Sequence, residues 1–243
     1  MNIDIDGLHS ALETSPNDQE ALGSLVEFYR SENAVEELTE LYLSQLENQT
    51  EHRLPLYQGL AEIMEQELEL AEDARVVVCE GLEEFPTDDN LWDKFKRLSN
   101  NEAQLLEYLT LLKATALNHD SEALITELIH LAGELSSDEL VVLSNKIHDV
   151  AIAQGSAVLA LQLWSELNTQ QTEDVSTYLE SLIDVAIELE SPEILEQIGS
   201  GLAESSDDVF TQYVAAVQNL AIAHQKPELV ILVTDRFDTM KEE

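Results

Sequence analysis

The sequence predicts an all-α protein in which about fourteen helices form seven pairs. Two observations lead to this prediction: the composition favours helices, and one helical hairpin recurs four times at a constant step. Only 8 Gly and 5 Pro occur among the 243 residues, and the abundant Leu, Glu and Ala have high helix propensity. A period of about 20 to 50 residues with two helices in each period is typical of stacked helical repeats.

The repetition covers residues 102–241 and advances by 35 residues at each copy, as from Leu105 to Leu140. Within one copy the apolar positions are three or four residues apart, which places them on one face of an α-helix. Because a single hairpin cannot bury such a face, we expect each copy to stack on its neighbours. The six apolar columns are Leu105, Leu140, Val175 and Phe210; Tyr108, Leu143, Tyr178 and Tyr213; Leu112, Ile147, Leu182 and Val217; Ala116, Ala151, Ala186 and Ala221; Leu124, Leu159, Ile194 and Leu229; and Leu128, Leu163, Ile198 and Val233.

Helix boundaries follow from capping residues along the chain. We expect a short first helix that ends near Thr14 and has Asp6 as its N-cap. Ser136 and Glu139 have the spacing of a capping box. Pro192 and Pro227 each lie at an expected first helical position, where the missing N–H of proline costs nothing.

The N-terminal part, residues 15–98, contains the residues that suggest a family. A Pro16-Asn17-Asp18 lead-in precedes the first hairpin, and Pro86 follows Pro16 by 70 residues, or two repeat lengths. This part resembles the tetratricopeptide repeat family. Its motif positions are occupied by Leu22 and Trp92 at the Trp position, Leu25 and Tyr29 at the Leu and Tyr positions, Asn33 at the turn Gly, and Leu38 and Tyr42 on the second helix.

The resemblance implies a right-handed α-α superhelix with a concave binding face, formed as one domain over residues 1–243. Residues 15–98 match the family pattern most closely, and residues 102–241 keep its period in degenerate 35-residue hairpins. Family members that grip acidic peptide tails use a clamp of Lys, Arg and Asn, whereas the two opening helix pairs hold only Arg30, Arg53 and Arg75. The resemblance therefore implies a basic or apolar ligand for this chain.

The charge balance is strongly negative, with 50 Asp and Glu against 11 Lys and Arg and a formal net charge of -39. Such a surface repels nucleic acids and anionic membranes and attracts cationic partners. Three explanations stay open at this point: a saline host or simple solubility, recognition of a basic protein segment, and mimicry of a nucleic-acid backbone.

We expect a non-enzymatic protein-interaction scaffold or adaptor that binds a basic or apolar segment of a protein partner along the concave face. The predicted partner-binding residues are Leu22, Tyr57 and Trp92, and we expect the first helices of the pairs, with the exposed neighbours of these three residues, to line that face. The alternative is an acidic mimic that inhibits or chaperones a DNA- or RNA-binding protein. We expect no catalytic residues, cofactor, metal or direct nucleic-acid contact, and the oligomeric state stays open.

Four sequence motifs contain residue types that occur at binding or reactive sites, and each also has a simpler structural interpretation. Residues 2–13, from Asn2 to Glu13, fit the spacing of a calcium-binding EF-hand loop, but they lack the usual first Asp and an incoming helix. The pair Glu127 and His130 has a di-iron spacing without a second copy, and the six His are scattered. We expect the cluster of Lys94, Lys96 and Arg97 to form a solvated face or to pair with neighbouring acids, beside the buried residues Trp92, Phe95 and Leu98. We expect the single Cys79 to be a small buried hydrophobe.

The N-terminal residues have neither the positive region nor the apolar core of a secretory signal. An apolar run of the roughly 18 residues that a membrane span requires does not occur in the sequence. These two observations lead us to expect a cytoplasmic protein without membrane contact.

Overall fold

The computed structural model describes residues 4–169, 175–203 and 207–230. Within these ranges every regular element is helical, and the described residues contain no β-strand. The predicted all-α class is therefore confirmed. Thirteen α-helices and one 3-10 helix are present in this part, and a further helix begins at Pro227.

The contacts divide the chain into two compact units, Met1–Leu111 and Leu112–Glu243, with the division inside the seventh helix. The predicted single domain stays a prediction, because a repeat array also forms local clusters of contacts. The helices are α1 (Ile5–Thr14), α2 (Gln19–Glu32), α3 (Val35–Asn48), α4 (Leu54–Gln66), α5 (Ala71–Glu84), α6 (Asp89–Leu98), α7 (Glu102–Asn118), α8 (Glu122–His130), the 3-10 helix (Ala132–Glu134), α9 (Ser137–Gln154), α10 (Val158–Thr169), α11 (Val175–Glu188), α12 (Pro192–Ala203) and α13 (Asp207–Ala223).

In the first unit, helices that follow one another in sequence pack against each other from α1 to α6. The core lies between them, and Leu25, Leu60 and Phe95 are fully buried there. Gly59 allows α3 and α4 to approach closely, since a Cβ atom at this position would lie 2.9 Å from the ring and the hydroxyl of Tyr42. The close contact therefore depends on the missing side chain of Gly59.

Side-chain caps begin the helices where the sequence predicts breaks. Asp18 and Asp88, which are 70 residues apart, accept hydrogen bonds from backbone N–H groups at the starts of α2 and α6. Ser136 and Glu139 form the predicted capping box of α9. The prediction for α1 was wrong by two residues: Asp4 is the N-cap and accepts from the N–H of Gly7, whereas Asp6 lies in the first turn.

In the second unit the helices alternate between two sets. The odd-numbered helices α9, α11 and α13 pack against one another in series, and the even-numbered helices α8, α10 and α12 do the same. Consecutive helices from α9 to α13 also pack together. The hairpin of α11 and α12 therefore stacks on the hairpin of α9 and α10 through both of its helices, as the 35-residue period predicts.

The apolar columns are buried as predicted, with one exception. All column residues whose exposure the structure describes are at most 9% exposed apart from Leu105, which is 51% exposed. Leu105 lies on α7, the first helix of the 35-residue series. Val175, Tyr178 and Val233 lie outside the residues whose side chains are described.

The repeats share a backbone conformation at positions that do not share a residue type. Gly155, Glu190 and Gln225 are 35 residues apart and all have left-handed backbone conformation, with φ of 64°, 53° and 60°. Each one follows the end of an odd-numbered helix. A left-handed residue at this place lets backbone N–H groups turn back to the last carbonyls of the helix. The same device occurs at Asn33 after α2, where the φ is 56°.

Five of the described cations link segments that lie far apart in the sequence but within one unit. Five pairs join residues 26 to 32 positions apart, with N–O distances of 2.5 to 3.0 Å. They are Arg53 with Glu84, Arg75 with Glu107, Arg97 with Glu65, Lys113 with Glu139, and Lys146 with Asp120. These side chains are consequently engaged in internal contacts.

Among the described helices, none combines the length and the hydrophobicity that a membrane crossing requires.

Candidate functional site

A pocket of about 510 Å³ lies in the first unit, among α1, α2 and α3. We call it the N-terminal pocket. It forms because α1 packs against α2 and α2 packs against α3, while the end of α1 and the following turn cover one side. Its lining residues are His9, Leu12, Glu13, Pro16, Tyr29, Glu37, Glu40, Leu41, Ser44, Gln45 and Asn48.

Apolar side chains provide one part of the pocket wall. Leu12 and Leu41 are buried in the core beneath it, with 3% and 4% of their surface exposed, and Pro16 contributes its ring. These residues offer a surface on which a hydrocarbon chain can pack.

Acidic side chains provide the other part. Glu13, Glu37 and Glu40 line the pocket, and none of its lining residues is Lys or Arg. The pKa of Tyr29 is raised from its ordinary value of 10.0, first because of burial and then because of the negative charges of Glu37, Asp6 and Glu40. The tyrosine hydroxyl therefore stays protonated and lies in a negative local field.

A polar contact connects α1 with α2 at the pocket. His9 Nε2 lies 2.8 Å from the hydroxyl oxygen of Tyr29, and the two rings are 6.1 Å apart. This contact holds the Tyr29 ring against the first helix. The combination of carboxylates, an aromatic ring and an apolar wall suits the side chain of Lys or Arg, whose stem is apolar and whose end is cationic.

The three predicted contact residues lie in the core. Leu22, Tyr57 and Trp92 are only 4% to 7% exposed. The Tyr57 hydroxyl accepts a hydrogen bond from Arg53 at 3.0 Å and donates one to Glu84 at 3.3 Å. A partner would therefore meet their exposed neighbours, and the role of those neighbours stays a prediction.

Trp92 has a structural role in the same unit. Its Nε1–H donates to the Pro86 carbonyl at 2.9 Å, and its ring packs edge-on against Phe95 and Tyr108. Within the basic cluster beside it, Arg97 donates to both carboxylate oxygens of Glu65, at 2.6 and 2.9 Å. The interpretation of Trp92 and Phe95 as core residues is confirmed, and Arg97 pairs with an acidic residue, as one of the two expectations for this cluster has it.

The calcium-loop interpretation conflicts with the described part of residues 2–13. Residues 5–14 are α-helical, whereas an EF-hand loop wraps around the ion up to its last ligand. The carboxylate of Asp4 is used in capping α1. Asn2 lies outside the described residues. Asp4, Asp6 and Glu13 are consequently not arranged as a calcium loop.

Glu127 and His130 lie on α8, and His130 approaches Glu166 of α10, with 3.7 Å between Nδ1 and Oε2. His130 is exposed and Glu166 is partly buried, and the two belong to no group of three converging potential metal ligands among the described residues. Cys79 is half-buried, and burial, followed by the charges of Glu107 and Glu83, raises the pKa of its thiol. The thiol is therefore mostly protonated at neutral pH, which is unfavourable for a nucleophile.

One group of side chains that the sequence pattern did not suggest converges in the second unit. His148, Asp184 and Glu188 each place a potential ligand atom within 4.8 Å of the others, and His224 also contacts Asp184. His148 and Asp184 are 36 residues apart, close to one repeat length. The 35-residue period places Ile183 opposite His148, so the spacing indicates that the two helices correspond but does not by itself select Asp184.

No sequence model of a known protein family matches the chain, and no curated protein matches it. The resemblance to tetratricopeptide repeats therefore rests on the residues and the period described above.

Proposed function

We propose that the protein is a non-enzymatic interaction scaffold and that the N-terminal pocket binds a Lys or Arg side chain of a basic protein segment. The observation that carries the proposal is the pocket itself, where three glutamates and a tyrosine surround an apolar wall. The rest of the segment would lie along a concave face of a right-handed, tetratricopeptide-like superhelix. Exposed neighbours of Leu22, Tyr57 and Trp92 belong to that proposed face.

The distribution of charge supports a cationic ligand. In the described part of the first unit, glutamates outside the pocket lining form ion pairs with Arg53, Arg75 and Arg97. Glu37 and Glu40 are one turn apart on α3, so both can face one ligand group. The net charge of the whole chain adds long-range attraction for a cationic segment at low ionic strength.

The test is the binding of a fluorescently labelled peptide of Lys and Leu residues, compared with a control peptide in which every Lys is Gln. We expect the double variant Glu37→Gln/Glu40→Gln to bind the Lys peptide about tenfold more weakly, since two partly exposed charges are removed. The matched control is Glu47→Gln/Glu62→Gln, which removes two exposed glutamates of the same unit that do not line the pocket. Equal weakening by both double variants would overturn the proposed role of the pocket.

Salt provides a second readout. Binding of the Lys peptide should weaken as the salt concentration rises, because screening reduces attraction between exposed charges. Binding that is independent of salt, or equal for the Lys and Gln peptides, would contradict a cationic ligand. The alternative of a nucleic-acid mimic predicts instead that duplex DNA displaces the chain from a DNA-binding partner, since both would occupy the same site.

A further inference from the structure

We propose that His148, Asp184 and Glu188 form a binding site for a divalent transition-metal ion such as Zn²⁺, and that His224 positions Asp184 within it. The site lies entirely in the second unit. His148 is on α9, while Asp184 and Glu188 are one turn apart on α11, which packs against α9. One ligand atom from each of the three lies within 4.8 Å of the others.

The imidazole of His148 has a buried nitrogen without a hydrogen-bond partner. Its Nε2 lies 3.3 Å from Asp184 Oδ2, but the contact does not have hydrogen-bond geometry, and this nitrogen is shielded from solvent. A buried polar atom that lacks a partner calls for an explanation. A metal ion bound by Nε2 and Oδ2 would satisfy both atoms.

His224 acts on the other oxygen of the same carboxylate. His224 Nε2 lies 2.6 Å from Asp184 Oδ1, so Asp184 is held between two imidazoles. Hydrogen bonds of this kind to a ligating carboxylate fix its orientation and strengthen metal binding. We therefore assign His224 as a positioning residue and His148, Asp184 and Glu188 as the ligands.

The residues after α13 hold His224 in place. Lys226 Nζ donates to the carbonyl oxygens of Ile187 and Glu188 at 3.0 and 3.3 Å and pairs with Glu190 at 3.1 Å. These contacts fasten the chain segment next to His224 to the end of α11. Contacts of His224 and Lys226 therefore join the segment after α13 to the C-terminal part of α11.

The ligand set favours a transition metal over Mg²⁺ or Ca²⁺. Zn²⁺ binds imidazole nitrogen together with carboxylate oxygen, whereas Mg²⁺ and Ca²⁺ prefer oxygen ligands alone. Ligand atoms around tetrahedral Zn²⁺ are roughly 3.4 Å apart, given bond lengths near 2.1 Å. The exposed Glu188 has the freedom to close the remaining gap. Three protein ligands leave a fourth position for water.

The test is a calorimetric titration of the chelator-treated full chain with Zn²⁺, and with Mg²⁺ as a second ion. We expect one Zn²⁺ bound per chain, with no comparable heat from Mg²⁺. His148→Gln and Glu188→Gln should abolish this binding, and His224→Gln should weaken it by about 10- to 100-fold. Glu188 is exposed, so its substitution leaves the core intact.

The matched control is His130→Gln, which removes another histidine of the second unit that also lies near a carboxylate. It should bind Zn²⁺ like the unaltered chain. The ¹⁵N resonance of His148 Nε2 should shift on addition of Zn²⁺, whereas that of His130 should not. The proposal is overturned if the unaltered chain binds no Zn²⁺, or if His148→Gln and Glu188→Gln bind it as tightly as His130→Gln.

Discussion

The ammonium group of Lys113 lies 2.6 Å from Glu139 Oε1, and the other oxygen of that carboxylate accepts hydrogen bonds from the N–H and the hydroxyl of Ser136 at 2.8 and 2.9 Å. One carboxylate therefore links α7 to α9 and also closes the capping box of α9. Lys113, followed by the Ser136 backbone and side chain, lowers the pKa of Glu139 from 4.5 to about 2.

The lowered pKa of Glu139 predicts a pH-dependent contribution to stability. Because its folded pKa lies below the unfolded value, the contribution is complete above about pH 4.5 and is lost as the pH falls toward 2. Glu139→Gln should reduce the free energy of unfolding at pH 7 by about 1 kcal/mol, since partial exposure screens the interaction. Urea unfolding at pH 7 and pH 3 measures the difference, which should shrink at the lower pH.

Asp138→Asn is the matched control for this prediction. Asp138 lies in the same turn of α9 and is exposed, but the Lys113 link belongs to Glu139. Asp138→Asn should change the pH dependence of the free energy of unfolding less than Glu139→Gln does. Identical pH profiles for the two variants would contradict the role assigned to the link.

Two glycines of the first unit should respond to alanine in opposite directions. Gly59→Ala places a methyl group 2.9 Å from the Tyr42 ring, which should cost about 1–3 kcal/mol through overpacking. Gly23 lies inside α2 with no atom within 4 Å of the added Cβ, so Gly23→Ala should stabilise by about 0.5–1 kcal/mol. Chemical denaturation of both variants tests this, and a neutral effect of Gly59→Ala would refute the close packing of α3 and α4.

The residues with positive φ that follow α9, α11 and α13 provide a further pair of variants. Gln225→Gly should stabilise the protein by about 1 kcal/mol, because glycine adopts a positive φ without steric cost. Gly155→Ala should destabilise it by a similar amount, because alanine is strained at this positive φ. The added Cβ would meet no neighbouring atom, so a steric clash does not add to this cost. Thermal unfolding followed by circular dichroism measures both. A shift in the same direction for both variants would contradict the shared conformation.

Arg97 and Glu65 offer a test of the links between helices. Glu65 is mostly buried, with 16% of its side chain exposed, whereas Arg97 is 55% exposed. Arg97→Met removes two hydrogen bonds to the carboxylate and should cost about 1 kcal/mol after allowance for solvent screening. Lys94→Met changes a cation of the same helix that forms no ion pair with the described residues, so it should be close to neutral in urea unfolding.

The fold was predictable from sequence where apolar periodicity determined burial. Leu143, Ile147 and Ala151 lie at the predicted spacing on α9, and all three are buried. Leu105 is exposed although it keeps the spacing, because periodicity fixes the helix face of a residue and not whether a neighbour covers it. The left-handed Glu190 and Gln225 could not be predicted, since neither residue type favours a positive φ as glycine does.

The candidate sites were less predictable because they join residues from separate helices. The negative charge indicated a cationic ligand, but it is spread along the chain and does not by itself select Glu37 and Glu40. His148 and Asp184 come together through the packing of α9 on α11, which a motif search along one helix does not detect. Side-chain direction, which decides this convergence, is not contained in residue spacing alone.

The alternating stack of the second unit has a consequence for how such a chain can evolve. The hairpin of α11 and α12 meets its predecessor through both helices, and each odd-numbered helix from α9 to α13 ends in the same backbone turn, whichever residue occupies it. A duplication or deletion of one whole 35-residue segment would therefore leave the remaining contacts in register. Insertions or deletions of other lengths would rotate the apolar face away from its neighbour. Selection should therefore retain insertions and deletions that are whole multiples of the 35-residue segment.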